Sequence, residues 1–170
     1  DHFWANKTLV LLLTTVAMVC GFLATALLID PLRRRGLPPG RVMAIANVLG
    51  LLILLALWLG AGNSHALWFA LGVVFAIGNI AYAEVTACFV PALAGRVNAA
   101  LNLCSFVGAF SIQWGYGVLL DALTAAGRTP ADSHRAALLM LVLLQAAGLA
   151  WFFLQRPTVA GRRALPLPPT

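Results

Sequence analysis

Arg41-Val-Met-Ala-Ile-Ala-Asn-Val-Leu-Gly-Leu-Leu-Ile-Leu-Leu-Ala-Leu-Trp-Leu-Gly60 is a run of 20 residues in which only the first is charged. At 1.5 Å of rise per residue, about 20 helical residues cross the roughly 30 Å hydrocarbon core of a bilayer. Four further runs of this kind lie at about 8–29, 66–90, 97–120 and 135–155, so the sequence predicts five spans. All nine prolines (31, 38, 39, 91, 130, 157, 166, 168 and 169) fall outside these runs. Uninterrupted helices need that punctuation, because proline removes a backbone donor that lipid cannot replace.

The whole chain carries the same signature. Of its 170 residues 62% are hydrophobic and 9% charged, with a mean hydropathy of +0.94. A soluble domain is about a quarter charged, so a soluble fold is excluded, and disorder and coiled coil, which need polarity or charge, go with it. The three cysteines, Cys20, Cys88 and Cys104, all sit in apolar runs and read as small fillers between helices, not as a disulfide framework, redox pair or metal site. The expected fold is all-α: a polytopic membrane bundle of five helices over 1–156, with a Pro-rich, disordered cytoplasmic tail over 157–170. The chain begins at Asp1 with an apolar run too long for a signal peptide, which reads as a retained span of a protein truncated at its N-terminus.

Eleven Lys and Arg against five Asp and Glu give +6. In a soluble protein that excess points to nucleic acid; here its placement matters more, and no nucleic-acid partner is expected. Arg33, Arg34, Arg35, Arg41, Arg96, Arg156, Arg162 and Arg163 are eight on one side of the spans, against Lys7, Arg128 and Arg135 on the other. Short cytoplasmic loops collect Lys and Arg, so the N-terminus is expected outside and the C-terminus inside. Trp4, Trp58, Trp68 and Trp151 lie near span ends, as an interfacial belt places them; Trp114 lies deeper.

In lipid, helices associate through close backbone approach at small residues. Four spans offer such pairs at i, i+4: Ala17 with Gly21, Ala46 with Gly50, Gly72 with Ala76, and Ser111 with Gly115. The fifth span, rich in Leu, Trp and Phe, reads as lipid-facing.

Glu84 is the one charged residue well inside a predicted span. A carboxylate in hydrocarbon must be paired, protonated or bathed in a polar cavity. Two roles are open: an ion pair, structural or gating, with the arginines of residues 33–35, or proton coupling. On another face of that helix Asn79, Tyr82 and Thr86 lie within about 60° of one another, against about 140° from Asn79 to Glu84. They suit either a water-filled, substrate-facing cavity or an interhelical hydrogen-bond seam. In the fourth span Asn98, Asn102, Ser105, Ala109, Gln113 and Tyr116 follow steps of three and four, making one wall polar or small. Gln113, near mid-membrane, is assigned to a path and Asn98 to packing. No nucleophile elbow, zinc-protease motif, paired intramembrane aspartates or phosphate-cradling glycine loop is present, so neither catalysis nor a cofactor nor a metal is expected.

The junction Ala26-Leu27-Leu28-Ile29-Asp30-Pro31-Leu32-Arg33-Arg34-Arg35 resembles the cytoplasmic loop motif of the major facilitator superfamily, G-x-x-x-D-R/K-x-G-R-R/K, at Asp30, Arg34 and Arg35. The run from Pro91 through Gly95-Arg96 to Gly115-Tyr116-Gly117 and Asp121 is similar to the eleventh helix of bacterial members. In that register the five spans resemble helices eight to twelve, and seven preceding helices of the same polypeptide would be partners. The resemblance implies a secondary transporter in a bacterial inner membrane that moves a small solute by alternating access, with protons a candidate coupling partner. It implies that Asp30 latches onto backbone amides near residues 96–99, aided by the helix dipole, and that Arg34 or Arg35 pairs with Glu84. The alternative is a non-transporting helical scaffold or assembly subunit.

Overall fold

The computed structural model describes residues 2–60 and 65–155, without the side chains of 2–7 and 10. The expected tail at 157–170 and the arginines at 156, 162 and 163 lie outside the described residues, as does the side chain of Trp4. Six helices account for nearly all of the described chain: α1 (His2–Arg34), α2 (Pro39–Trp58), α3 (His65–Ala76), α4 (Ile80–Thr86), α5 (Ala94–Ala125) and α6 (Pro130–Leu154). A single 3-10 turn, Ile77–Asn79, joins α3 to α4, and another, Pro91–Leu93, leads into α5. With α3 and α4 counted as one interrupted span, five helices are long and apolar enough to cross a membrane.

Pro39, Pro91 and Pro130 sit at the starts of helical segments, where a missing N–H costs nothing. Pro31 departs from the expected punctuation, because it lies inside α1, which runs on to Arg34. The carbonyl it leaves unpaired is one turn earlier, close to the helix end, where water can reach it. The third span also differs from a continuous helix over 66–90. It tightens at Gly78 and Asn79 and stops at Thr86. The Asn79 side-chain amide donates to the carbonyl of Ala76 (3.3 Å), which satisfies part of the backbone that the turn disturbs.

Two contacts hold the bundle most tightly. α1 and α3 run parallel and meet through the two predicted small-residue pairs, which prove to be each other's partners. Ala17 and Ala76 are 0% and 1% exposed, and a Cβ on Gly21 or Gly72 would collide with the facing helix. α2 and α6 run antiparallel, with Trp58 facing Arg135, Asn47 facing Gln145, and Ala44 near Phe153. The apolar centre, Leu54, Leu57, Leu71 and Val142, lies among α2, α3 and α6. α6 is therefore not simply lipid-facing: Ser133, Ala137 and Val142 are buried on one side of it. Gly50 of the second predicted pair packs against Phe75 and Val74 of α3. The fourth pair, Ser111 with Gly115, has no partner: a Cβ at Gly115 would meet nothing within 4 Å.

α5 is packed least. None of its described residues is buried, and Phe106, Phe110 and Trp114 are 71%, 69% and 65% exposed. Its side-chain hydrogen bonds to the rest run to Tyr82 and Thr86 of α4 and His134 of α6. The antiparallel registers set Arg33, Arg34, Arg35, Arg41 and Arg96 at one end of the bundle and Arg128 and Arg135 at the other, as the loop charges require.

Candidate functional site

Two polar regions hold the residues singled out in the sequence. The first is where α4 and α5 meet. The Tyr82 hydroxyl lies 3.0 Å from Asn102 Oδ1 and 2.9 Å from Ser105 Oγ. With one proton to give, it donates to Asn102 Oδ1 and accepts from the Ser105 hydroxyl. One turn further along α4, Thr86 Oγ1 donates to Asn98 Oδ1 (2.8 Å). Tyr82 and Thr86 thus form an interhelical seam with Asn98, Asn102 and Ser105, and the packing role assigned to Asn98 holds. Asn79 does not join it: it bonds its own helix and faces away. At the other end of α5 the Tyr116 hydroxyl lies 3.2 Å from His134 Nδ1 of α6, with the two rings tilted at 42°. Between these two joints the polar wall is open. Gln113 lies there, exposed on a helix of bilayer length, while Asn102 and Ser105, bonded to Tyr82, are exposed at the edge of the first joint.

The second region is a cavity of about 530 Å³ between the ends of α1 and α4, whose lining includes Asp30, Arg33, Asn79 and Glu84 above apolar walls such as Phe22 and Ile80. Two sequence-based expectations are corrected here. Glu84 is not well inside a helix that runs on to residue 90: α4 ends two residues later, at Thr86, so Glu84 is about 3 Å of helix rise from the end. The arginine that shares its cavity is Arg33, not Arg34 or Arg35. Because α1 stays helical through Pro31, Asp30 and Arg33 fall on one face at i, i+3, and Arg34 turns about 100° away. Asp30 lines this cavity and makes no hydrogen bond to residues 96–99 among the described residues, so the latch implied for it is not formed. Arg96 is exposed at the start of α5. Two carboxylates and one guanidinium thus line the same cavity.

A third polar contact escaped the reading of the sequence. Gln145 Nε2 donates to Asn47 Oδ1 (2.9 Å), and Asn47 Nδ2 donates to the Met43 carbonyl (2.9 Å). Both amides are half-buried in the middle of their helices. A lone amide in an apolar run was the available signal, since hydrocarbon penalises an unpartnered one. All three cysteines are free. Among the described residues no group of three His, Cys, Asp or Glu could hold a metal ion.

Comparison with protein-family models, with curated proteins and with solved structures gives no match.

Proposed function

We propose that this chain forms the last five spans of a major-facilitator-type secondary transporter, moving a small solute by alternating access. In this reading the protein lies in a bacterial inner membrane, with the arginine-rich end in the cytosol and the start of the chain on the periplasmic side, and seven further spans precede Asp1. The observation that carries the reading is the open stretch of the α5 wall. Gln113 is exposed on a bilayer-length helix with no hydrogen bond among the described residues, and an amide does not face lipid without a polar partner. A solute path between this helix and the missing half supplies water and ligand as that partner. The cavity around Asp30, Arg33 and Glu84 then lies at the cytosolic mouth, where its carboxylates serve gating or proton coupling.

The test uses the full polypeptide in vesicles, with Cys20, Cys88 and Cys104 replaced by Ser and single cysteines introduced at Ser105, Gln113 and Phe110. A membrane-impermeant thiol reagent labels Ser105→Cys and Gln113→Cys from the water, and solute slows both; Phe110→Cys, in lipid, stays unlabelled. Protection of the first two positions by a tightly bound protein, with no flux of any solute, assigns the wall to the scaffold alternative instead.

A further inference from the structure

A second groove lies on the outer face of α2, away from both polar regions. It holds about 370 Å³ and is lined by Arg41, Ala44, Ile45, Val48, Leu49 and, from α6, Phe153. The geometry points to a binding site for an anionic phospholipid, with one acyl chain in the groove and the phosphate on Arg41.

Three observations carry this. The first is composition: five of the six lining side chains are hydrocarbon and the sixth is a guanidinium at one extremity. An amphiphile with an anionic head is complementary to that arrangement, whereas a polar solute or a cation is not. The second is length. Arg41, Ala44, Ile45, Val48 and Leu49 recur at i, i+3, i+4, i+7 and i+8, one continuous face of α2. From Arg41 to Leu49 the face rises about 12 Å, close to the roughly 15 Å of one hydrocarbon leaflet. The third is charge. No acidic residue lines the groove, Arg41 is exposed in the first turn of α2, and among the described residues it forms no ion pair. The positive end of the α2 dipole adds to the attraction, and Arg33, Arg34 and Arg35 lie at the same end of the bundle. Ile45, Leu49 and Phe153 remain about half exposed, so the groove opens sideways, as entry from a bilayer requires. Basic sites between spans at a membrane surface are places where anionic headgroups bind.

This inference depends on the five spans lying in a bilayer and not on transport. It is tested by native mass spectrometry of the full polypeptide released from detergent, with phosphatidylglycerol or phosphatidylcholine added. The wild type retains phosphatidylglycerol about fivefold better, the worth of one arginine at an anionic surface. Arg41→Gln brings the two lipids to parity, Arg41→Lys keeps the preference, and Arg34→Gln keeps it too. Ile45→Trp, which fills the groove, lowers retention of both lipids, and excess inorganic phosphate displaces neither. Arg41→Gln leaves the packed core untouched, so it stays informative if Ile45→Trp fails to fold. A preference that survives Arg41→Gln, or one lost equally in Arg34→Gln, overturns the site in favour of diffuse surface attraction. Displacement by inorganic phosphate overturns it in favour of a headgroup site without a chain.

Discussion

Replacing Gly72 by Ala adds one methyl group at one of the two places where α1 and α3 approach closely. An ideal Cβ there lies 2.8 Å from the Ala17 Cβ and 2.9 Å from the Thr14 carbonyl oxygen. The reciprocal position is tighter: a Cβ on Gly21 lies 2.6 Å from the Ala76 Cβ and 2.7 Å from the Val73 carbonyl oxygen. Ordinary contact begins at 3.4 Å, so the helices must part by about 0.6 Å for Gly72→Ala and about 0.8 Å for Gly21→Ala. Neither obstacle is the end of a flexible side chain that swings aside; both are backbone and Cβ atoms. A gap of 0.5–1 Å forfeits roughly a quarter to a half of each dispersion contact along the seam. Overpacking of this kind costs about 1–3 kcal/mol, a roughly five- to hundredfold fall in the folded-to-unfolded ratio.

The assay is unfolding in mild detergent by added dodecyl sulfate or heat, followed by tryptophan fluorescence. Gly115→Ala is the control, since its Cβ would meet nothing within 4 Å and helix propensity favours the alanine by up to about 1 kcal/mol. Gly72→Ala is expected to destabilise and Gly115→Ala to be neutral or stabilising. Once the helices are apart, adding Gly21→Ala to Gly72→Ala costs less than Gly21→Ala alone. If Gly72→Ala behaves as Gly115→Ala does, or if the two seam substitutions add in full, the parallel α1–α3 contact is not what holds this end of the bundle.

Gln145→Leu and Asn47→Leu each lose the amide pair between α2 and α6, and a double-mutant cycle in the same unfolding assay should give a coupling of about 0.6–1.7 kcal/mol; zero coupling would dissolve the pair. Ser133 is 1% exposed and its hydroxyl has no partner among the described residues, so Ser133→Ala should stabilise by about 1 kcal/mol or more, and a loss of stability would show that the hydroxyl is bonded. Tyr82→Phe removes the hydroxyl shared by Asn102 and Ser105, and hydrogen exchange should rise around the α4–α5 joint while the α1–α3 seam stays protected; an unchanged joint would mean that apolar contacts suffice there. Glu84→Gln removes one of the two cavity carboxylates, so if the proposed carrier couples protons through it, its flux loses its pH dependence, and an unaltered pH profile assigns Glu84 to gating alone.

The five spans were legible because length and hydropathy leave little freedom: about 20 apolar residues between arginine- or proline-bearing junctions have one stable arrangement in lipid. Small-residue spacing was legible too, but not its meaning. Ala17–Gly21 and Gly72–Ala76 have the same spacing as Ser111–Gly115, yet the first two close on each other and the third faces outward, since a spacing marks a surface that permits close approach and does not supply the partner. The residues alone left arginines 33–35 open as partners of Glu84, and the resemblance narrowed them to Arg34 or Arg35. A helix that persists through Pro31 fixes the phase and puts Arg33 on the cavity beside Asp30. The 3-10 turn at Ile77–Asn79 had only Gly78 and Asn79 as signals, and hydropathy is blind to both.

The distribution of packing bears on motion. α1 is joined to α3 by backbone approach, and α2 to α3 and α6 through the Leu54, Leu57, Leu71 and Val142 centre. Contacts of that kind are close-packed and resist sliding. α5 is joined to α4 by hydroxyl and amide bonds at Asn98, Asn102 and Ser105 and to α6 by the Tyr116–His134 bond, and none of its described residues is buried. Hydrogen bonds worth about 0.6–2 kcal/mol each break and re-form singly, and water can replace either partner. Under the alternating access proposed above, relative movement therefore meets less resistance at the α4–α5 and α5–α6 joints than at the close-packed contacts among α1, α2, α3 and α6.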